Sequence, residues 1–270
     1  MENDEIVSFL ASPVNAACSP QTMYNSPMQM TASSLAELQS WAAEIHHRLL
    51  LAYGEPSWRP FYAPMDELVL TFLSQNTSDL NSGRAFQSLK ARFPDWQAVL
   101  DAPVQEVADA IRSGGLADRK APRIQKALRR ILEERGDFNI DFLTDLPVDD
   151  AMNWLTSFDG IGHKTASIVM LFCFGREAFP VDTHVGRVTR RLGLAAPKDT
   201  EEKIKGLWER LVPSEWYYAL HLNLIRHGRE VCHAPRPECG RCVLNDLCRY
   251  EGKTRNETIL PHLTDMSNSA

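Results

Sequence analysis

The 270-residue chain has no apolar run of about 18 residues, the length that would be needed to cross a bilayer. Its first residues, Met1 to Glu5, are acidic rather than rich in lysine and arginine, so neither a secretory signal nor a transit peptide is expected. Strand-like alternation of convincing length and internal repeats are also missing. These absences exclude a membrane-spanning protein and a solenoid, and they predict a cytoplasmic protein.

The charge is unevenly distributed along the chain. The composition is ordinary for a globular protein, with 44% apolar and 24% charged residues, and the net charge of −6 by itself gives no sign of a nucleic-acid partner. The segment Arg112–Arg135, however, holds eight basic and three acidic residues. Because salt screens charges over about 10 Å, binding to phosphates depends on a local basic face rather than on the total. The acidic total therefore does not exclude DNA.

The apolar residues recur mostly at intervals of three and four, which predicts an all-α fold. The clearest helix starts at Ser34, which forms a capping box with Glu37, and ends at Gly54. Residues 1–33 are rich in Ser, Asn, Pro and Met and show little periodicity, which predicts a disordered tail. Further helices are predicted over 65–74, 83–93, 121–134, 149–158, 164–174, 200–211 and 216–226.

Four of the six cysteines lie within seventeen residues: Cys232, Cys239, Cys242 and Cys248. Without a secretory signal there is no reason to expect disulfides, so the cluster indicates a metal site. Intervals of six, two and five residues can hold a tetrahedral zinc ion or a [4Fe–4S] cluster. Zinc ribbons usually carry two Cys-x2-Cys pairs and this run has one, so the spacing favours iron–sulfur. Zinc, or no metal at all, stays open.

A Gly-x-Gly turn, Gly160-Ile161-Gly162, separates two predicted helices and is followed by Lys164. Two glycines around one apolar residue allow a tight hairpin, and the free amides at the start of the second helix can bind a phosphate. A plain packing role for the turn fits the same pattern. Lys164 stands near the positive end of the helix dipole, which disfavours the charged amine, and a neutral amine there could form a Schiff base.

Asp182 follows an apolar helix and a proline turn at Pro180. A carboxylate in this position can cap the next helix. Alternatively, it can face Lys164 and stabilise positive charge or accept a proton there. The residues alone leave both interpretations open.

Taken together, these features resemble the endonuclease III branch of the helix-hairpin-helix DNA glycosylases, over roughly residues 35–250. The resemblance rests on four features in one order: the segments 160–166, 181–184 and 224–229 and the 6-2-5 cysteine run. It implies a two-lobed all-α fold, in which a six-helix lobe contains the hairpin and a second lobe holds a [4Fe–4S] cluster. The corresponding boundaries are 56–175 for the first lobe, 34–55 plus 176–250 for the second, and 251–270 for a C-terminal tail.

The resemblance also implies a base-excision-repair enzyme that removes oxidised pyrimidines and nicks abasic sites by β-elimination. Lys164 would attack the sugar C1′ and Asp182 would assist as a carboxylate. The cysteines Cys232, Cys239, Cys242 and Cys248 would ligate the cluster. The expected partner is double-stranded DNA with a damaged base or an abasic site, bound by a nucleoid-associated monomer.

Further residues match the family's DNA-contacting positions. Gln75 corresponds to a glutamine that fills the space left by the extruded base, and Leu116 to a leucine that wedges into the opposite strand. The alternatives are a helix-end cap for Gln75 and buried core for Leu116. The other positions implied to contact DNA are Gly160, Gly162, His163, Thr165 and His184.

Departures from the family pattern leave the preferred base open. Asn76 and Ser78 differ from the bacterial pattern, in which an acidic residue often follows the threonine. The related adenine glycosylases carry a glutamate where this chain has Thr71, and the mismatch-thymine branch carries a tyrosine in place of Lys164. Lys164 therefore favours a glycosylase with lyase activity. A monofunctional glycosylase and a non-catalytic iron–sulfur DNA-binding protein are the alternatives.

Overall fold

The computed structural model describes residues 32–60 and 62–254, in which the regular elements are helices and no β-strand is present. The predicted tails fall outside these ranges, except for residues 251–254 and for Ala32 and Ser33, which belong to the first helix. Eleven α-helices cover the described residues: α1 (Ala32–Tyr53), α2 (Pro64–Ser74), α3 (Asp79–Arg92), α4 (Trp96–Asp101), α5 (Val104–Ala110), α6 (Ala117–Arg135), α7 (Val148–Thr156), α8 (His163–Phe174), α9 (Thr183–Leu192), α10 (Glu201–Leu211) and α11 (Tyr217–Glu230).

Local capping chemistry fixes several of the helix boundaries. The Ser78 side chain accepts the amide of Asn81 and starts α3 four residues earlier than the periodicity predicts. At the C-terminal end of the long basic helix α6, Gly136 adopts a left-handed conformation with φ of 80°. In each case a single polar or flexible residue decides where the helix begins or ends, while the apolar spacing only indicates that a helix is present.

Three helices were not predicted from the periodicity: α4, α5 and α9. The first two have six and seven residues and thus too few turns to show a helical repeat. Their starts are nevertheless set locally, by the Asp95 carboxylate for α4 and by the Pro103 turn for α5. The third, α9, is rich in arginine and threonine, and its start is set by the Asp182 carboxylate.

The first lobe is built around an apolar core to which α2 to α8 all contribute. Its centre includes Phe72, Ile124 and Leu128, each at most 1% exposed. Within this core the buried Gln125 amide donates to the carbonyls of Val99 and Ala102 at the end of α4. Free carbonyls at a helix end are thereby satisfied by a side chain from a neighbouring helix.

The second lobe combines the first described helix with helices from the later part of the described chain. Its core joins α1 to α9, α10 and α11, together with Leu244 from the cysteine-rich segment. Trp208 is fully buried, and its indole N–H donates to the Thr189 hydroxyl at 2.9 Å.

Two contacts join the lobes, one at α8 and one between α3 and α11. The indole N–H of Trp58, in the connection after α1, donates to the Leu171 carbonyl on α8. An ion pair of 2.7 Å joins Arg229 on α11 to Asp79 on α3. The prediction of an all-α, two-lobed fold is therefore confirmed. Among the described helices, none has the length and apolar composition that a bilayer crossing requires.

The hydrogen bond between Trp208 and Thr189 allows a direct test of the second core. Thr189→Val keeps the shape but removes the acceptor, leaving a buried indole N–H unpaired, so the free energy of unfolding should fall by about 1–3 kcal/mol. Urea unfolding measures this change. In Thr189→Val with Trp208→Phe, the cost should be clearly less than the sum of the two single changes. Additive costs would contradict the assignment.

Candidate active site

The predicted hairpin connects α7 to α8. Gly160 has φ of 90°, a conformation that side chains rarely adopt, and the arginine side chain of Arg123 packs against it. Ile161 is buried and its amide donates to the Phe158 carbonyl, which closes the turn. The first glycine is therefore required by the backbone of the turn itself.

The second glycine has a different explanation. Gly162 has an ordinary φ of −94°, and a Cβ added there would meet no atom within 4 Å. It is the N-cap residue of α8, and no side chain accepts the first amides of that helix. Uncapped amides at the positive end of a helix dipole are a suitable place for an anion.

Lys164 and Asp182 line the same cavity beside this helix start, together with Gly162, His163 and Thr183. Lys164 is exposed, whereas Asp182 is 8% exposed. No ion pair joins them among the described residues, so the amine is not held by the carboxylate. The cavity leaves Lys164 accessible to a ligand while Asp182 lies at its wall.

Asp182 is also the cap of α9, because its Oδ1 accepts the amide of Val185 at 2.7 Å. Capping, the first of the two interpretations left open by the sequence, is thus observed, and the same carboxylate also lines the cavity of Lys164. The hydrogen bond from the Val185 backbone amide fixes the position of the carboxylate without neutralising its charge.

Sequence reasoning missed the contribution of α10 to this cavity. Glu201, Glu202 and Lys205 line its far side, and Ser167 on α8 lies at its base. The acidic first turn of α10 is an ordinary helix-start pattern, and nothing in its spacing indicates that it faces Lys164. Only the packing of α10 against α9 brings it there.

His221 on α11 supports the segment that leads to Asp182. It is 2% exposed, and its Nδ1–H donates to the Pro180 carbonyl at 3.0 Å. Burial lowers the pKa of His221 to about 4, although the nearby Asp182 opposes this shift. The ring is thus neutral at physiological pH and acts as a fixed hydrogen-bond donor behind the active-site segment.

Two loops on the first lobe carry the predicted DNA-contacting residues Gln75 and Leu116. Gln75 follows α2, and its side-chain amide donates to the Gly160 carbonyl at 2.6 Å, which links this loop to the hairpin. Leu116 precedes α6 and is 47% exposed, so it does not belong to the buried core. Asn76 and Leu116 are the two non-glycine residues with positive φ in the described chain.

The four clustered cysteines line one cavity, which Arg191 and His227 also border. The Arg191 guanidinium and the Leu244 amide donate to the sulfur atoms of Cys232 and Cys242. Burial raises the pKa of the Cys242 thiol to about 12, so a thiolate there depends on nearby positive charge. Within the described residues, no group of three or more Cys, His, Asp or Glu side chains has the arrangement of a metal-ion site.

Helix α9 connects the cysteine-rich segment to the candidate site. Arg187 donates to the carbonyls of Gly228 and Cys232 and to the His184 ring. A Cβ at Gly228 would lie 2.9 Å from that of His184, so only glycine allows this approach of α11 to α9. The predicted site residue His184 therefore lies between the cavity and the cysteine segment, and is half-buried.

Comparison with known proteins places the chain in a family. The family of HhH-GPD superfamily base excision DNA repair proteins matches residues 69–214, more than half of the chain. Endonuclease III of Escherichia coli K12 is 34% identical over 193 residues, which cover 72% of this chain and 87% of that protein. The chain belongs to the endonuclease III family.

One further relative and one solved structure support this family assignment. A putative DNA glycosylase of Arabidopsis thaliana is 41% identical over 165 residues, 61% of this chain; the match spans 56% of the plant protein, little more than half its length. The structure of a trapped covalent intermediate between endonuclease III and DNA superposes with a TM-score of 0.66 at 27% identity, covering 80% of this chain and 95% of that one.

The fold of this endonuclease III family member thus brings together only some of the site residues that the sequence predicted. Lys164, Asp182, Gly162 and His163 line one cavity. Gln75 is joined to this group through Gly160. Neither Leu116 nor Thr165 lines that cavity, and the cysteines line a separate one.

The neutral state of His221 predicts a pH dependence of stability. Between its ordinary pKa of 6.5 and its value of about 4 in the fold, the unfolded chain takes up a proton that the folded protein excludes. The free energy of unfolding should therefore fall as the pH drops through this window, by at most about 1.4 kcal/mol per pH unit from this group.

His221→Asn keeps a donor for the Pro180 carbonyl but does not titrate, so it should show a shallower loss of stability between about pH 7 and about pH 5. Urea unfolding of both proteins at the two pH values measures the difference. Equal pH dependence in both would show that the pKa of His221 is not lowered in the fold.

Proposed function

We propose that this protein is a bifunctional DNA glycosylase and AP lyase that removes oxidised pyrimidines from double-stranded DNA and nicks abasic sites. The observation that carries the proposal is the exposed amine of Lys164 beside the fixed carboxylate of Asp182, in a cavity next to the uncapped start of α8. We assign the protein to the cytoplasm, where it would act on DNA as a monomer.

In the proposed reaction, the Lys164 Nζ lone pair attacks C1′ of the sugar, and the bond from C1′ to the base breaks. The base leaves with those electrons and takes up a proton. Loss of the proton on Nζ and opening of the ring give an imine between Lys164 and C1′. Removal of a C2′ proton then expels the 3′ phosphate, which is the β-elimination that nicks the strand.

Asp182 supports two of these steps through its charge. Positive charge develops on the sugar as the base leaves, and a carboxylate in the wall of the cavity stabilises it. The carboxylate can also accept a proton from the attacking amine. Because the Val185 amide holds the carboxylate in place, no reorganisation is needed during the reaction.

The hairpin and the two loops would hold the DNA. The free amides at His163, Lys164 and Thr165 suit a backbone phosphate, and the open space at Gly162 admits its close approach. His184 would add a further contact to the DNA. Gln75 and Leu116 would enter the duplex where the damaged base leaves, which requires an extruded base.

The cysteine segment is proposed to hold a [4Fe–4S] cluster through Cys232, Cys239, Cys242 and Cys248. The shared cavity, together with N–H donors from Arg191 and Leu244 to sulfur, fits this donor set. Base excision and elimination require no electron transfer. The cluster would therefore serve to shape this segment, which Arg187 and Arg191 connect to α9.

Borohydride trapping on duplexes with a thymine glycol or an abasic site tests the chemistry. The wild-type protein should form a covalent adduct on both substrates, and Lys164→Gln should form none because no amine is available. Gel electrophoresis of the reduced complex measures the adduct. An adduct on the abasic site alone would refute oxidised pyrimidines as the excised bases, while the proposed lyase activity would stand.

Asp182→Asn serves as the matched variant in this experiment. Asparagine is also a good helix cap, so α9 should stay folded while the charge is lost. Base release should then slow by at least about 100-fold. Free base without a nick in the wild type would identify a monofunctional glycosylase, and DNA binding with neither product would identify a non-catalytic binding protein.

Metal analysis tests the cysteine assignment. The wild-type protein should contain about four iron and four sulfide ions per chain, and Cys239→Ser should lose most of both because a ligand is missing. Cys173→Ser is the control, since this free cysteine lies in the first lobe outside the segment. One zinc ion per chain without sulfide would establish the alternative metal.

A further inference from the structure

Lys120 is a lysine without a place in the chemistry described so far. It lies on the first turns of α6, and it is 3% exposed, although lysine is rarely buried. It does not line the cavity that holds Lys164 and Asp182. The burial of a charged amine is costly unless its donors are satisfied, so its partners indicate what it does.

The partners of Lys120 are backbone carbonyls from two different loops. Its Nζ donates to the Leu73 carbonyl at 2.6 Å and to the Gly114 carbonyl at 2.8 Å. Leu73 lies in the last turn of α2, where carbonyls lack helical partners and the helix dipole attracts a cation. One buried ammonium group therefore ties the end of α2 to the turn before α6.

These two attachment points are the bases of the two strained loop tips. Asn76 follows Leu73 by three residues and Leu116 follows Gly114 by two, and their φ values are 53° and 52°. The Leu116 carbonyl also accepts the backbone amide of Lys120 at 2.9 Å. Left-handed backbone at residues with a Cβ persists only where the surroundings impose it, and such residues often mark functional loops.

We propose that Lys120 is a positioning residue that sets the spacing between the two DNA-entering loops, so that Gln75 and Leu116 enter the duplex as one preformed pair. The inference deepens the proposed function and rests on it for the presence of DNA. A preformed pair lowers the cost of ordering two loops during base extrusion. A single-stranded abasic site needs no such entry, because no opposite base has to be displaced.

The test compares duplex and single-stranded oligonucleotides that contain an abasic site. Lys120→Met removes both hydrogen bonds but fills the same space, and the ratio of duplex to single-strand cleavage should fall by at least about tenfold. A second readout is the fluorescence of 2-aminopurine placed opposite the abasic site, which rises when loops unstack it. This increase should be lost in Lys120→Met.

Gln125→Leu is the matched control. Gln125 is on the same helix, is also buried, and also donates to carbonyls at a helix end, but at α4 rather than at the two loops. It should lower the urea midpoint while leaving the cleavage ratio and the fluorescence increase unchanged. If Lys120→Met does not fold, Lys120→Gln, which retains one donor, takes its place with a smaller expected loss.

Three results would decide the question. If folded Lys120→Met keeps the wild-type ratio of duplex to single-strand cleavage, the proposal is overturned. An equal fall of this ratio in Gln125→Leu would also overturn it, since this would show that any destabilisation of the lobe lowers the ratio. If the wild-type protein cleaves neither substrate, the proposed lyase function fails instead. In that case the 2-aminopurine signal alone decides the role of Lys120.

Discussion

The hydrogen bond from the Val185 amide to the Asp182 carboxylate is the constraint on which the rest of the site depends. A helix start needs an acceptor for its free amides, and here the acceptor is also the carboxylate of the cavity. Because α9 begins at this point, two of its three arginines, Arg187 and Arg191, contact the cysteine segment from one and two turns later in the helix. The position of the carboxylate and that of the segment are thus set by one helix.

The hairpin and the Gln75 loop form a second connected unit. Gln75 donates to the Gly160 carbonyl, so the loop that is proposed to enter DNA is held against the turn that is proposed to bind phosphate. Moving Gln75 into a duplex costs this bond, and an equivalent bond to a base would offset the loss. Gln75 is the C-cap residue of α2, but its side-chain amide donates to a partner 85 residues away in the chain.

The sequence predicted those parts of the structure that local chemistry decides. The Gly160 turn follows from glycine's conformational range, and the Asp182 cap follows from its place after a proline turn. The contacts of Lys120, His221 and α10 could not be predicted in this way, because each joins segments distant in sequence. A buried lysine or histidine on an amphipathic helix gives no sign in the periodicity of the partner that satisfies it.

In the proposed function, the contrast between Lys164 and Asp182 would allow a protein of net charge −6 to carry a site for DNA. Lys164 is exposed at the start of α8, so a sugar can reach its nitrogen, and the helix dipole adds positive potential for the adjacent phosphate. Asp182 is the opposite case: it is buried and held by a backbone amide, so the carboxylate does not repel phosphates at the surface. Placing DNA over the cavity would exclude water from both groups at once, which strengthens their interaction with the charge that develops on the sugar. The site thus uses a local arrangement of two charges at different depths, and the total charge of the chain has little influence on it.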